Sequence, residues 1–315
     1  MKERPRVLYF FLLLFGVFCG STAVIMIKAS TEHPFLVASY RLLVAALVLF
    51  PFFLRDLRSL EPGETYGWKQ VGWSALPAVF LAFHFMTWVV GARLTQVANA
   101  SLIANLTPTA MPFLVWAIFR ERITRQEIVG TAFTLLGLVA LSGSNLSISQ
   151  DSVRGDLICY VSMLAFAAYL ALGRKNGARL RLWLYMVPLY FFAGVICLIC
   201  ALFTINPLKA YTATNLLLMV GLGLIPTVLG HTIFNYSLKR FRGQVVSVTN
   251  LLQPVFASLL GFLIFREAPR PLAYVAAALI VTGVLIVLGA AQRTVTASFT
   301  IGYNPGTNSG KGSAR

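Results

Sequence analysis

Apolar runs of about twenty residues follow one another along the chain, separated by short segments carrying charge, Pro or Gly. A bilayer core about 30 Å thick is crossed by roughly 20 apolar residues in helical form. Ten runs qualify: 7–28, 34–54, 71–91, 97–119, 127–145, 156–174, 183–204, 214–236, 245–265 and 271–291. The first follows Lys2, Arg4 and Arg6, as the core of a signal peptide would. It is too long for one, and nine further runs follow, so it reads as a retained span. The expected fold class is therefore all-α integral membrane, with ten transmembrane helices. Residues 1–6 form a short leading segment, and 292–315, rich in Ser, Thr, Gly and Asn without periodicity, read as a disordered tail.

Composition agrees. Of the 315 residues 58% are apolar and only 11% charged, with a mean hydropathy of +0.78. A soluble domain carries about 25% charged residues, so most of this surface must face lipid or other helices. The formal charge of +16 raises nucleic-acid binding. That reading fails because the basic residues sit in small clusters between apolar runs, as the cytoplasmic loops of a membrane protein do. With the N-terminus inside, 19 Lys and Arg fall on the inner segments and six on the outer ones (Lys28, Arg93, Arg154, Lys209, Arg266, Arg270). The positive-inside rule then places both termini in the cytoplasm.

Cys19, Cys159, Cys197 and Cys200 all lie in apolar runs and read as packing thiols, the Cys197-x-x-Cys200 pair having no second pair at metal-ligand spacing. No phosphate loop of the G-x-x-x-x-G-K-[ST] kind, no G-x-S-x-G element and no zinc cluster is present. Neither a cofactor nor a metal is expected.

Sliding the chain by 146 residues sets Pro108 on Pro254, Ser101 on Ser247, Leu114 on Leu260 and Gly137 on Gly283. Ile118-Phe119-Arg120-Glu121 falls on Ile264-Phe265-Arg266-Glu267. Two five-helix units, 7–145 and 156–291, follow. An odd number of spans forces the two into opposite orientations, giving two inverted five-helix repeats. Such repeats are a construction of secondary transporters, with the site near the midplane between them. Gly20-Ser21 before Lys28, Pro34-x5-Tyr40-Arg41, and above all the stretches from Leu106 to Leu141 and from Leu251 to Leu288 carry a family likeness. They resemble the paired signature of the EamA-type, ten-helix branch of the drug/metabolite transporter superfamily. The resemblance implies export or exchange of amino acids and other small metabolites across the bacterial inner membrane. It also implies a cavity among helices 1, 3, 4, 6, 8 and 9, which brings in Ser21 and Thr22 on the first helix. Ala-Pro-Arg-Pro after Glu267 departs from the family's usual continuation.

Polar groups within hydrocarbon are costly and so are candidate pathway residues. On the fourth span Ser101, Asn105, Pro108 and Pro112 share a stripe; on the ninth Ser247, Asn250 and Pro254 match it, with Gln244 one turn earlier. Pro108 and Pro254 each free a backbone carbonyl, so a pair of kinked gating helices is expected; helix–helix packing by the same small and amide residues is the alternative. The third span carries His84 and Trp88, the eighth Thr227, His231 and Asn235 at steps of four. The two histidines lie one residue from equivalence under the shift, so they should occupy near-symmetric places. Each could relay a proton or donate to a carboxylate, or simply be satisfied by a backbone carbonyl. Trp88, Tyr160, Tyr169 and Phe234 could supply an aromatic wall. Arg41 is the one full charge well inside a span; it would attract a substrate carboxylate, bind helix-end carbonyls, or snorkel outward. No Asp or Glu lies mid-span, so the usual carboxylate proton site is missing.

The expectation is a permease moving a small polar or amphipathic metabolite by alternating access, most simply an amino-acid exporter. An exchanger or uptake carrier for a sugar or organic anion is the alternative, and a membrane enzyme or a non-transporting scaffold the more distant ones. Expected partners are a small-molecule solute and the lipid bilayer, not nucleic acid, with the chain acting as monomer or homodimer.

Overall fold

A computed structural model of the chain describes residues 6–95, 100, 103–142, 150–265 and 271–302. Its helices follow the apolar runs. They are α1, interrupted into α1a (Arg6–Ser21) and α1b (Ala23–Ala29), then α2 (Pro34–Arg58), α3 (Trp68–Leu94), α4 (Thr107–Phe119) and α5 (Arg125–Ser142). The second set is α6 (Gln150–Gly177), α7 (Leu182–Leu202), α8 (Ala213–Leu238), α9, split into α9a (Gly243–Asn250) and α9b (Gln253–Phe265), and α10 (Pro271–Gly302). Among the described residues six helices are long and apolar enough to cross a membrane, and α4 and part of α10 are shorter apolar helices. α10 runs to Gly302, past the expected boundary near 291, so 292–302 are helical where an irregular tail was expected.

Helix pairings obey the exchange of one repeat for the other. α2 packs along its counterpart α7, and α5 along α10; α3 packs on α6 as α8 packs on α1. Lipid offers no hydrophobic drive to bring helices together, so close approach and buried polar bonds must hold them. The α5–α10 seam shows the first: a Cβ on Gly130 would lie 2.6 Å from the Gly283 carbonyl oxygen, and one on Gly137 2.7 Å from that of Ala276. Only a bare backbone fits. The α2–α7 seam shows the second, where the buried Ser39 hydroxyl donates to the Gly194 carbonyl at 2.9 Å. Large apolar side chains such as Phe11, Leu47, Phe113, Leu136 and Leu217 point outward, as a lipid-facing surface requires.

Polar contacts collect at the two ends of the bundle. At the first end, Glu121 receives both guanidinium nitrogens of Arg174 at 2.8 and 2.9 Å, and Arg242 reaches Glu127 at 3.1 Å. Thr124 and Glu127 cap α5 reciprocally, each side chain accepting from the other's backbone N–H. At the second end Lys209 pairs with Glu32 at 2.6 Å, and Arg93 donates to the carbonyls of Glu32 and Ser30. Arg120-Glu121 therefore pins a loop; Arg266-Glu267 lies outside the described residues.

Candidate functional site

Three spans break and one loosens near mid-depth. α1 breaks at Ser21 and Thr22, whose hydroxyls turn back to the carbonyls of Phe18 and Cys19 at 2.6 and 2.8 Å. Before α4 the chain makes a tight turn at Asn105-Leu106, with Leu106 N–H donating to the Ile103 carbonyl at 3.0 Å. α9 makes the same turn at Leu251-Leu252, whose N–H groups donate to Val248 and Thr249 at 3.1 Å. The 146-residue shift lays one turn on the other. Pro108 and Pro254 thus sit in the first turn of the half-helices that follow, where a missing N–H costs nothing. This corrects the expected kinks: the spans are interrupted, not bent. The Ala104 carbonyl, which Pro108 cannot bond, accepts from the Thr107 hydroxyl at 3.2 Å. In α8 the segment Gly223–His231 winds as a π-helix around Pro226, a local widening that often marks functional sites.

The interruptions surround a cavity between the repeats. Its room for the centres of water-sized bodies is about 70 Å³, several times the roughly 10–15 Å³ that admits one water. From the first repeat it is lined by Gly20, Ser21 and Val24 of α1, Arg41 of α2, His84, Phe85 and Trp88 of α3, and Ala104 and Asn105 ahead of α4. From the second come Phe166 of α6, Pro226, His231 and Phe234 of α8, and Asn250, Gln253 and Pro254 of α9. Helix α2 joins the six helices implied by the resemblance, through Arg41 alone.

Eight of the expected pathway residues thus meet in one place: Ser21, Arg41, His84, Trp88, Asn105, His231, Asn250 and Pro254. Others lie behind the wall. Thr227 is buried and accepts from Arg41 Nε at 3.0 Å; Asn235 is buried and donates its amide to the Tyr169 hydroxyl. Ser247 turns back to the Gln244 carbonyl, while Gln244 donates to Thr131 Oγ1 at 2.8 Å and to the Pro108 carbonyl at 3.4 Å. Gln244 and Pro108 therefore tie α9a to α4 and α5 and do not extend the cavity stripe. Thr22 is spent on its own helix. Tyr160, expected on an aromatic wall, is 46% exposed on the outer face of α6. A helix turns about 100° per residue, which carries Tyr160 outward and puts Phe166 in its place. Ser101 lies outside the described residues.

The two histidine rings face each other with centroids 6.4 Å apart. Ser162 fixes one of them: its hydroxyl lies 2.9 Å from both the His84 carbonyl and His84 Nδ1, and its own carbonyl lies 3.1 Å from the same nitrogen. The hydroxyl and the carbonyl thus hold Nδ1 between them. His84 also stacks on Phe166 at 4.8 Å. Arg41 is 1% exposed. Its guanidinium carbon lies 4.0 Å from the centre of the Phe85 ring, and that ring is 5.0 Å from His231. This buried setting removes the snorkelling expectation, and among the described residues its hydrogen bond goes to the Thr227 hydroxyl, not to a helix-end carbonyl.

Phe85, Phe166, Pro226 and Gln253 line the cavity without having been expected there. Gln253 had a signal, since it lies three residues after Asn250 in a span and donates to its Oδ1 at 2.6 Å. A Cβ on Gly20 would come 2.6 Å from the Gln253 amide nitrogen, so that glycine makes room for the contact. Among the described residues no group of three or more His, Cys, Asp or Glu could hold a metal ion.

Comparison with known proteins agrees with this architecture. Residues 7–143 and 153–289 each match the EamA-like transporter family. The transporter YyaM of Bacillus subtilis is 24% identical over 90% of this chain and 93% of its own length. A probable terminal-alkyne amino-acid exporter of Streptantibioticus cattleyicolor is 25% identical over 60% of this chain and 63% of its own. A crystal structure with 20% identity superposes with a TM-score of 0.73 over 90% of this chain and 97% of that one, which shows the same fold. With two copies of the family's unit spanning most of its length, the chain is a multi-pass membrane protein that belongs to the EamA-like transporter family.

Proposed function

We propose that the protein exports a small amino-acid-like metabolite across the bacterial inner membrane by alternating access, with both termini in the cytoplasm. The observation that carries this reading is the cavity at mid-depth, bounded by the matched breaks at 105–106 and 251–252 and lined by both repeats. Broken helices present backbone donors and acceptors where a span otherwise offers none. Two inverted halves that exchange conformations convert an inward opening into an outward one. The first end carries Arg174, Arg181, Lys239, Arg240 and Arg242 close together, which supports its placement in the cytoplasm. The size of the cavity favours a solute of amino-acid dimensions, and the exporter among the relatives points the same way.

The test is counterflow in proteoliposomes with each labelled L-amino acid in turn. Wild-type protein is expected to exchange at least one of them well above protein-free vesicles. The double variant Asn105→Leu with Asn250→Leu should fall to that background while keeping its helical circular dichroism. A double variant that exchanges as fast as wild type removes the site from the pathway, and no exchange of any amino acid removes the proposed cargo.

A further inference from the structure

We infer that the transported solute bears a carboxylate and that Arg41 is the group that receives it. The inference rests on the transport reading and names the chemical class of its cargo. Arg41 projects into the cavity wall from the second turn of α2 and is 1% exposed. Its Nε is occupied by the Thr227 hydroxyl, which donates its own proton onward to the Leu222 carbonyl at 2.7 Å. Both terminal nitrogens, Nη1 and Nη2, are buried without a hydrogen-bond partner. They form the outer edge of the guanidinium, the fork that matches the two oxygens of a carboxylate.

Among the described residues no carboxylate pairs with Arg41. Glu32, Asp56, Glu64, Glu121, Glu127 and Asp156 are paired at the two ends of the bundle, with Lys209, Arg55, Arg181, Arg174, Arg242 and Thr95. The face of Phe85 gives a cation–π contact, which does not use the N–H groups. A buried charge left unpaired is strongly unfavourable, and two free donors on it are doubly so. The arrangement is complete only when an anion occupies the cavity. His231 Nδ1, likewise buried without a partner, lies beside the same Phe85 ring and can supply a further contact. An empty carrier that holds an uncompensated cation is thus poised for a carboxylate and set against amines and amides.

The test uses the full chain purified into nanodiscs, with thermal stability and tryptophan fluorescence as readouts, since Trp88 lines the same cavity. The probes are the L-amino acids and straight-chain monocarboxylates of two to six carbons, each beside its primary amide, and sodium chloride alone. At least one free acid should raise the melting temperature of the wild type while its amide does not. Arg41→Gln should weaken that acid at least about 30-fold, and Arg41→Lys, which keeps the charge but loses the fork, about 10-fold. Thr227→Val leaves Arg41 in place but unanchored, and should weaken the acid about 5-fold; it serves if Arg41→Gln does not fold. The inference is overturned if no acid stabilises the wild type, if amides do so equally, if chloride alone gives the full effect, or if acid affinity is unchanged in Arg41→Lys and Thr227→Val. Acid binding without counterflow leaves the anion site standing and removes the transport reading. Counterflow of amides that Arg41→Gln leaves intact does the reverse.

Discussion

The two ends of the bundle are both crossed by bonds between the repeats, yet they are held differently. At the first end the contacts are ionic and centre on two carboxylates of the first repeat, Glu121 and Glu127, gripped by Arg174 and Arg242 of the second. At the second end one recessed carboxylate, Glu32, takes a lysine and sits in a knot of neutral groups: Asn215, Ser30 and Thr31, with Tyr40 and Tyr211 sharing a hydrogen bond alongside. The cavity lies nearer the second end on helices of the first repeat and nearer the first end on those of the second: at about 1.5 Å per residue, Trp88 is about 9 Å from the end of α3 at the second end, while His231 and Asn250 are each about 10 Å from the termini of α8 and α9 at the first end. Helix length therefore favours neither seal, and the difference between the ends lies in their bonds. Arginine–carboxylate forks are strong when formed and lost all at once when helices separate. A mesh of neutral bonds rearranges in smaller steps. That difference predicts that opening costs more at the first end.

Breaking the ionic end should give the largest effects. Glu127→Ala removes an α5 cap and leaves Arg242 facing a side chain 1% exposed that is no longer there; unfolding monitored by circular dichroism should show a loss of about 3 kcal/mol. Glu121→Gln keeps the shape but weakens both arginine contacts, partly screened because the side chains are 33% and 18% exposed; a loss of about 1–2 kcal/mol is expected. The same variant should raise labelling of a cysteine placed at Ala104, in a background without native cysteines, by reagents applied from the first end. Equal labelling with and without the substitution would contradict the prediction that the ion pairs hold the first end shut. Glu32→Gln at the other end retains hydrogen bonds to Asn215 and should change stability by about 1 kcal/mol or less. Arg181→Ala, which breaks the exposed pair with Glu64 and the hydrogen bond to the Ser59 hydroxyl, should give the smallest shift in melting temperature of the four.

The spans were legible because hydrocarbon imposes length and composition on anything that crosses it, and the repeat because its two copies keep Pro, Gly and Arg-Glu at one spacing. The histidine pair was legible for the same reason: near-equivalent positions in exchanged halves must come close, and the rings stand 6.4 Å apart. The breaks were read only as proline kinks. A proline announces that one bond is missing, while whether the chain bends or makes a turn depends on local partners such as Thr107 for the Ala104 carbonyl. Tyr169, Thr227 and Asn235 share a polar signature with the cavity residues, yet behind the wall Asn235 bonds to Tyr169 and Thr227 to Arg41. Hydropathy cannot tell a polar group that meets solvent from one that meets another helix.

From the chain alone came ten crossings, their pairing into opposed halves, and the set of costly polar groups confined within them, since each of these follows from local composition and spacing. Only the packed structure decided which of those groups share a cavity. It also decided that the guanidinium of Arg41 reaches that cavity with two donors unspent, because partners in space are chosen by helix rotation and depth, which a one-dimensional pattern does not contain.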